Sequence, residues 1–142
     1  MQKTVKVGWI GTGVMGKSMA QHLMKNGYQL SVFNRTASKA DELVKEGAIF
    51  AQPIDIAKES DYLFLMLGYP KDVEDMVLGD GILQHMKKGS YLIDHTTSSP
   101  GLAERIAEKA QEAGVNSIDA PVSGGDIGAR NGKLVVMIGG EA

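Results

Sequence analysis

The 142 residues include no cysteine. Disulfides, thiolate metal sites and cysteine nucleophiles are therefore excluded, and the redox compartment stays open. No apolar run is long: Tyr62–Leu67 and Leu134–Ile138 are far too short to span a bilayer. No basic block interrupts a net charge of −2, so neither nucleic acid nor a membrane surface is an expected partner. The N-terminus enters a strand-like stretch without a targeting pattern, and internal repeats, low-complexity tracts and linkers are absent. What is present is ordinary for a globular chain, with 43% apolar and 23% charged residues. A chain of this length is expected to form one domain, residues 1–142, that buries roughly 70% of its unfolded surface. A cytoplasmic setting is expected.

Short apolar runs alternate with stretches of helical period. Strands are predicted at Val5–Ile10, Gln29–Phe33, Ala48–Phe50, Tyr62–Leu67, Tyr91–Asp94, Val115–Ala120 and Leu134–Ile138. Helices are predicted at Val14–Asn26, Ser38–Glu46, Pro53–Lys58, Asp72–Val77 and Pro100–Ala113. Met15, Met19, Ala20, Leu23 and Met24 make the inward stripe of the first helix. Leu102, Ala103, Ile106, Ala107 and Ala110 make that of the last. Gly27, Gly47 and Gly114 stand where helices commonly end. Strand and helix alternating in this way predict an α/β fold: a Rossmann-like, doubly wound, mostly parallel sheet with helices on both faces. Ligands bind such sheets beyond the carboxyl ends of the strands. The segments to read are thus 11–13, 34–36, 67–71, 95–99 and 121–132.

The first of them is Gly11-Thr12-Gly13-Val14-Met15-Gly16, a G-x-G-x-x-G between a strand and a helix. Gly11 permits a tight turn, Gly13 lets a pyrophosphate reach the backbone, and Gly16 lets the helix lie close to the strand. The helix N-terminus then faces the phosphates. The alternative is a flexible turn. The second strand ends Asn34-Arg35-Thr36, with no acid for a ribose 2′-hydroxyl. Arg35 is suited to a 2′-phosphate instead, and Asn34 and Thr36 add hydrogen-bonding groups. NADP(H) is therefore expected over NAD(H). The alternative is a solvated arginine with Thr36 capping the next helix.

The segment Asp94-His95-Thr96-Thr97-Ser98-Ser99-Pro100 invites comparison with a hydrolase triad or a metal site. A triad nucleophile needs a sharp turn and an oxyanion hole, and Ser98 and Ser99 lack a G-x-S-x-G setting. Neighbouring residues at a strand end point to opposite faces, which separates Asp94 from His95. His22, His85 and His95 show no ligand spacing, so no metal is expected. The preferred reading is a polar loop whose hydroxyls reach a nicotinamide or a substrate, with Ser99 and Pro100 starting the next helix.

Four stretches together resemble the N-terminal domain of the β-hydroxyacid dehydrogenases: GWIGTGVMGKSMAQHLMKNGY at 8–28, LFLML at 63–67, DHTTSSP at 94–100, and DAPVSGGDIGARNGKLVVMIGG at 119–140. That family includes 3-hydroxyisobutyrate dehydrogenase, tartronate semialdehyde reductase and the glyoxylate/succinic semialdehyde reductases. Residues 32–48 are similar to the NADPH-using glyoxylate/succinic semialdehyde branch. The resemblance implies cofactor contacts from Gly11, Thr12, Gly13, Val14, Met15, Asn34, Arg35, Thr36, Met66, Leu67, Gly68 and Thr97. It implies substrate contacts from Thr96, Ser123, Gly124 and Gly125. Gly68 stands where many members have proline, and Thr96 where serine is usual. The family's catalytic lysine lies in a following helix and matches no lysine here, so no catalytic residue is expected within these 142. The chain then reads as a truncated piece, with an all-helical dimerising domain to follow and a small hydroxyacid or aldehyde acid as substrate. A non-catalytic dinucleotide-binding scaffold or sensor is the alternative.

Overall fold

The computed structural model describes residues 6–11, 14–25, 27–67, 70–78, 81–95, 100–119, 122–123, 135–136 and 139–140. Its main sheet contains β1 (Lys6–Ile10), β2 (Gln29–Phe33), β3 (Ile49–Phe50), β4 (Tyr62–Leu65), β5 (Tyr91–Asp94), β6 (Asn116–Asp119) and β9 (Gly139–Gly140). The spatial order is β3-β2-β1-β4-β5-β6-β9. Pairings from β3 through β6 are all parallel. The chain leaves the centre at β1, runs out to β3, and returns to β4 before running out to β6. This is the Rossmann order, and its direction reverses between β1 and β4.

The helices are α1 (Val14–Lys25), α2 (Asp41–Lys45), α3 (Pro53–Glu59), α4 (Pro70–Val77) and α5 (Pro100–Ala113). Two apolar clusters cover the two faces of the sheet. On one, Val7, Trp9, Leu30 and Val32 meet Ala20 of α1 and Leu43 of α2. On the other, Ile10, Leu63, Leu65 and Leu92 meet Ile56, Val73 and Ile106 from α3, α4 and α5. Alternation along β1 and β4 divides the residues between these faces. No helix among the described residues is long and apolar enough to cross a membrane.

Several local expectations need correction. The helix expected at Ser38–Glu46 is a 3-10 turn, Ala37–Ala40, followed by α2. The Lys39 amide donates to the Thr36 carbonyl three residues back, at 3.0 Å, which tightens the entry. The third strand begins at Ile49, because the Ala48 amide is spent on the Leu43 carbonyl, at 2.9 Å. That bond closes α2 through Gly47, whose φ of 116° only glycine adopts readily. The fourth strand ends at Leu65, two residues earlier than the apolar run. Helix α4 begins at Pro70 rather than Asp72, and a further 3-10 turn covers Ile82–His85. On α5, Leu102, Ile106 and Ala110 are buried while Ala107 is exposed, so the inward stripe follows strict four-residue spacing.

The largest difference concerns the end of the chain. Instead of one strand over Leu134–Ile138, β8 (Val135–Val136) pairs antiparallel with β7 (Val122–Ser123) in a separate ribbon. β9 then joins β6 antiparallel. A parallel neighbour needs a crossover of a dozen or more residues, usually helical. Here the intervening stretch contains the β7–β8 pairing, and the chain doubles back.

Candidate cofactor site at the carboxyl edge of the sheet

Gly11 lies where three strand ends meet. Its amide donates to the carbonyl of Phe33, the last residue of β2, at 2.9 Å. Its φ is 104°, and a Cβ there would collide with the carbonyl of Met66, just past β4. Met66 is itself tied to β1 by donating to the Ile10 carbonyl at 2.9 Å. The turn after β1 thus occupies the point where the strand order reverses, and only a residue without a side chain fits there.

Two residues reinforce this arrangement. The indole Nε1 of Trp9, buried in the sheet, donates to the Gly11 carbonyl at 2.8 Å. Gly16 lies on α1 directly against the same carbonyl, and a Cβ at Gly16 would strike that oxygen and come within 3.3 Å of Trp9 Nε1. Helix α1 therefore approaches the strand closely and aims its N-terminus at the turn, where its free amides favour an anion. The absent Cβ atoms at 11 and 16 let the Met66 and Gly11 carbonyls lie against the backbone there and bring β1, β4 and α1 together at the turn. Val14 and Met15 open α1, whereas Thr12 and Gly13 lie outside the described residues.

Beyond β2, Asn34 Nδ2 donates to the Thr36 carbonyl at 2.9 Å and shapes the turn. Thr36 begins the 3-10 turn without a side-chain capping bond, so capping does not explain its hydroxyl. Arg35 is largely exposed, and its Nη2 lies 3.5 Å from Oδ1 of Asp72 on α4. Arg35 and Asp72 share a groove of about 330 Å³ with Gln52, Pro53, Ile54 and Met76. Along α4, Lys71 pairs with Asp75 at 3.1 Å and Arg105 pairs with Glu74 at 3.1 Å. Asp75 and its neighbour Glu74 hold the Lys71 ammonium above its usual range. Sequence reasoning placed Arg35 but missed Asp72, which is distant along the chain.

His95 was expected to belong to a polar loop. It is instead buried in a ring stack, 5.6 Å from Phe64 and 5.9 Å from Trp9 between centroids. Its position one residue past β5 puts it on the Trp9 face, opposite Asp94. The lone tryptophan two residues before the glycine turn was the available signal for this layer. Met66 and Leu67 are half-buried and pack against opposite faces of the sheet. Gly68, Thr96, Thr97, Ser98, Ser99, Gly124 and Gly125 lie outside the described residues. Ser123 is on β7, opposite Val135, rather than in a loop. Among the described residues, no three His, Asp or Glu side chains could together hold a metal ion.

Residues 6–142 match the family described as the NAD binding domain of 6-phosphogluconate dehydrogenase. The chain belongs to that family. Among its relatives, "Uncharacterized oxidoreductase YkwC" of Bacillus subtilis is 51% identical, over 99% of this chain and 49% of its own length. "Probable 3-hydroxyisobutyrate dehydrogenase-like 1, mitochondrial" of Arabidopsis thaliana is 52% identical, over 96% of this chain and 42% of its own. A solved structure, "Psf3 in complex with NADP+ and 2-OPP", superposes with a TM-score of 0.90 at 30% identity, over 95% of this chain and 49% of that one. The chain spans about half the length of the curated relatives it matches. The matched residues include the glycine sequence between β1 and α1.

Proposed function

We propose that this chain is the cofactor-binding half of an NADPH-preferring oxidoreductase acting on a small β-hydroxyacid or the matching aldehyde acid. When bound, the nicotinamide supplies the hydride that reduces a carbonyl, and the protein's task is to bind and orient. Gly11, Thr12, Gly13, Val14 and Met15 receive the pyrophosphate at the start of α1. Asn34, Arg35 and Thr36 hold the 2′-phosphate. Met66, Leu67 and Gly68 line the path toward the nicotinamide, where Thr97 binds. Thr96 and the stretch Ser123-Gly124-Gly125 receive the substrate, whose carboxylate suits a hydroxyl beside successive amides. Protonation of the nascent alkoxide is assigned to a lysine in the half of the longer relatives that this chain does not cover. The β-hydroxyacid class is supported by the sequence resemblance and by the name of the Arabidopsis relative.

The observation that carries the cofactor choice is Arg35, exposed beyond β2 and beside an open groove, with no acid in Asn34–Thr36. A 2′-phosphate carries close to two negative charges near neutral pH. Charge-assisted bonds to it contribute roughly 1.5–3 kcal/mol, which is about tenfold or more in affinity. Calorimetry at low salt is expected to show NADPH bound at least about tenfold more tightly than NADH, with the gap narrowing as salt is added. Arg35→Asp removes the preference. Equal affinities in the parent chain would refute the NADP assignment.

A further inference from the structure

Asp72 faces the guanidinium on which that reading rests. It occupies the first turn of α4, where the helix dipole favours an acid. Its side chain is about a quarter exposed, so it is held more firmly than Arg35, which is four-fifths exposed. The other acid of the groove, Asp75, is already paired with Lys71. Among the described ion pairs, the cation facing Asp72 is Arg35 alone.

We propose that Asp72 sets the degree of nicotinamide cofactor discrimination by competing with the 2′-phosphate for Arg35. A phosphate entering the groove must either draw the guanidinium away from Asp72 or share it. In both cases the phosphate gains less from Arg35 than an unpaired guanidinium would give it. NADH brings no charge to that position and leaves the pair intact. The pair therefore acts as a brake on NADPH binding alone, supplied by α4 rather than by the end of β2, where an NAD-selective acid usually stands. The surplus of NADPH over NADH affinity is the difference between what Arg35 gives the phosphate and what Asp72 withholds.

The inference rests on the NADPH reading, and a four-way calorimetric comparison separates the two. Parent, Asp72→Asn, Arg35→Ser and the double variant are each titrated with NADPH and with NADH at low salt. Asp72→Asn is expected to tighten NADPH up to about fivefold, the strength of the exposed ion pair that the phosphate no longer has to displace. NADH should change by less than about twofold, because the pair it leaves intact contributes equally to the free and the bound chain. In the Arg35→Ser background the gain should vanish. If Asp72→Asn leaves NADPH affinity unchanged while Arg35→Ser still weakens it, the brake is refuted and the NADPH reading stands. If the gain persists without Arg35, simple repulsion replaces competition and the inference fails. If the parent binds both cofactors equally and Arg35→Ser has no effect, the NADPH reading falls and the inference with it. Asp72→Ser, which also lacks the charge, should reproduce the gain and guards against an effect peculiar to asparagine.

Discussion

Replacing Gly16 by alanine tests whether the glycine turn is held by close packing. The added Cβ would strike the Gly11 carbonyl oxygen and approach its carbon to 3.2 Å and Trp9 Nε1 to 3.3 Å. The obstacle is backbone, already fixed by the Phe33 carbonyl on one side and the Trp9 indole on the other, so it cannot swing aside. Overpacking of this kind costs 1–3 kcal/mol, and a rigid obstacle argues for the upper half, about 2–3 kcal/mol. For a chain of this length that lowers Tm by roughly 6–10 °C. Relief by moving α1 would disturb the amides proposed to receive the phosphates, and NADPH is then expected to bind at least about tenfold more weakly. The assay is thermal unfolding followed by the emission of Trp9, the sole tryptophan, which is buried and bonded to the turn. Gly101→Ala is the control, because a Cβ there meets nothing within 4 Å. It should raise stability by about 0.4–1 kcal/mol through a less flexible unfolded chain. A Gly16→Ala variant melting within about 2 °C of the parent would refute the packing argument.

Gly13→Val should abolish cofactor binding with the fold retained, since its side chain would fill the space proposed for the pyrophosphate. Calorimetry and circular dichroism check the two halves of that statement, and an affinity within twofold of the parent would count against it. Asp61 governs an acid-side effect. The Lys6 amide, at 2.9 Å, and the Lys87 ammonium, at 2.7 Å, hold its carboxyl below the ordinary 3.8. A lowered folded pKa means stabilisation that is present above the unfolded value and lost as pH falls through the folded one. Asp61→Asn should therefore destabilise at pH 7 and show a smaller further loss between about pH 4 and pH 2 than the parent, as read from Tm against pH.

Much of the architecture is set by local sequence. The apolar runs and the helical stripes specify alternating strands and helices, and such alternation admits few arrangements other than a parallel sheet with right-handed crossovers. The glycine motif is likewise local: its spacing puts Gly16 in the first turn of α1, where its missing Cβ matters. Arg35 follows from its place after β2. What only tertiary structure decided are contacts whose partners are far apart in the chain. Asp72 is 37 residues from Arg35, and they meet because α4 starts beside the end of β2. His95 looked like part of a polar loop until the pairing of β1, β4 and β5 stacked it over Phe64 and Trp9. The antiparallel return of β9 depends on the β7–β8 pairing, which an apolar run such as Leu134–Ile138 does not reveal. Periodicity reports which face of an element is apolar. It is silent about which element that face or its charged rim will meet, because that depends on strand order and register across the whole sheet.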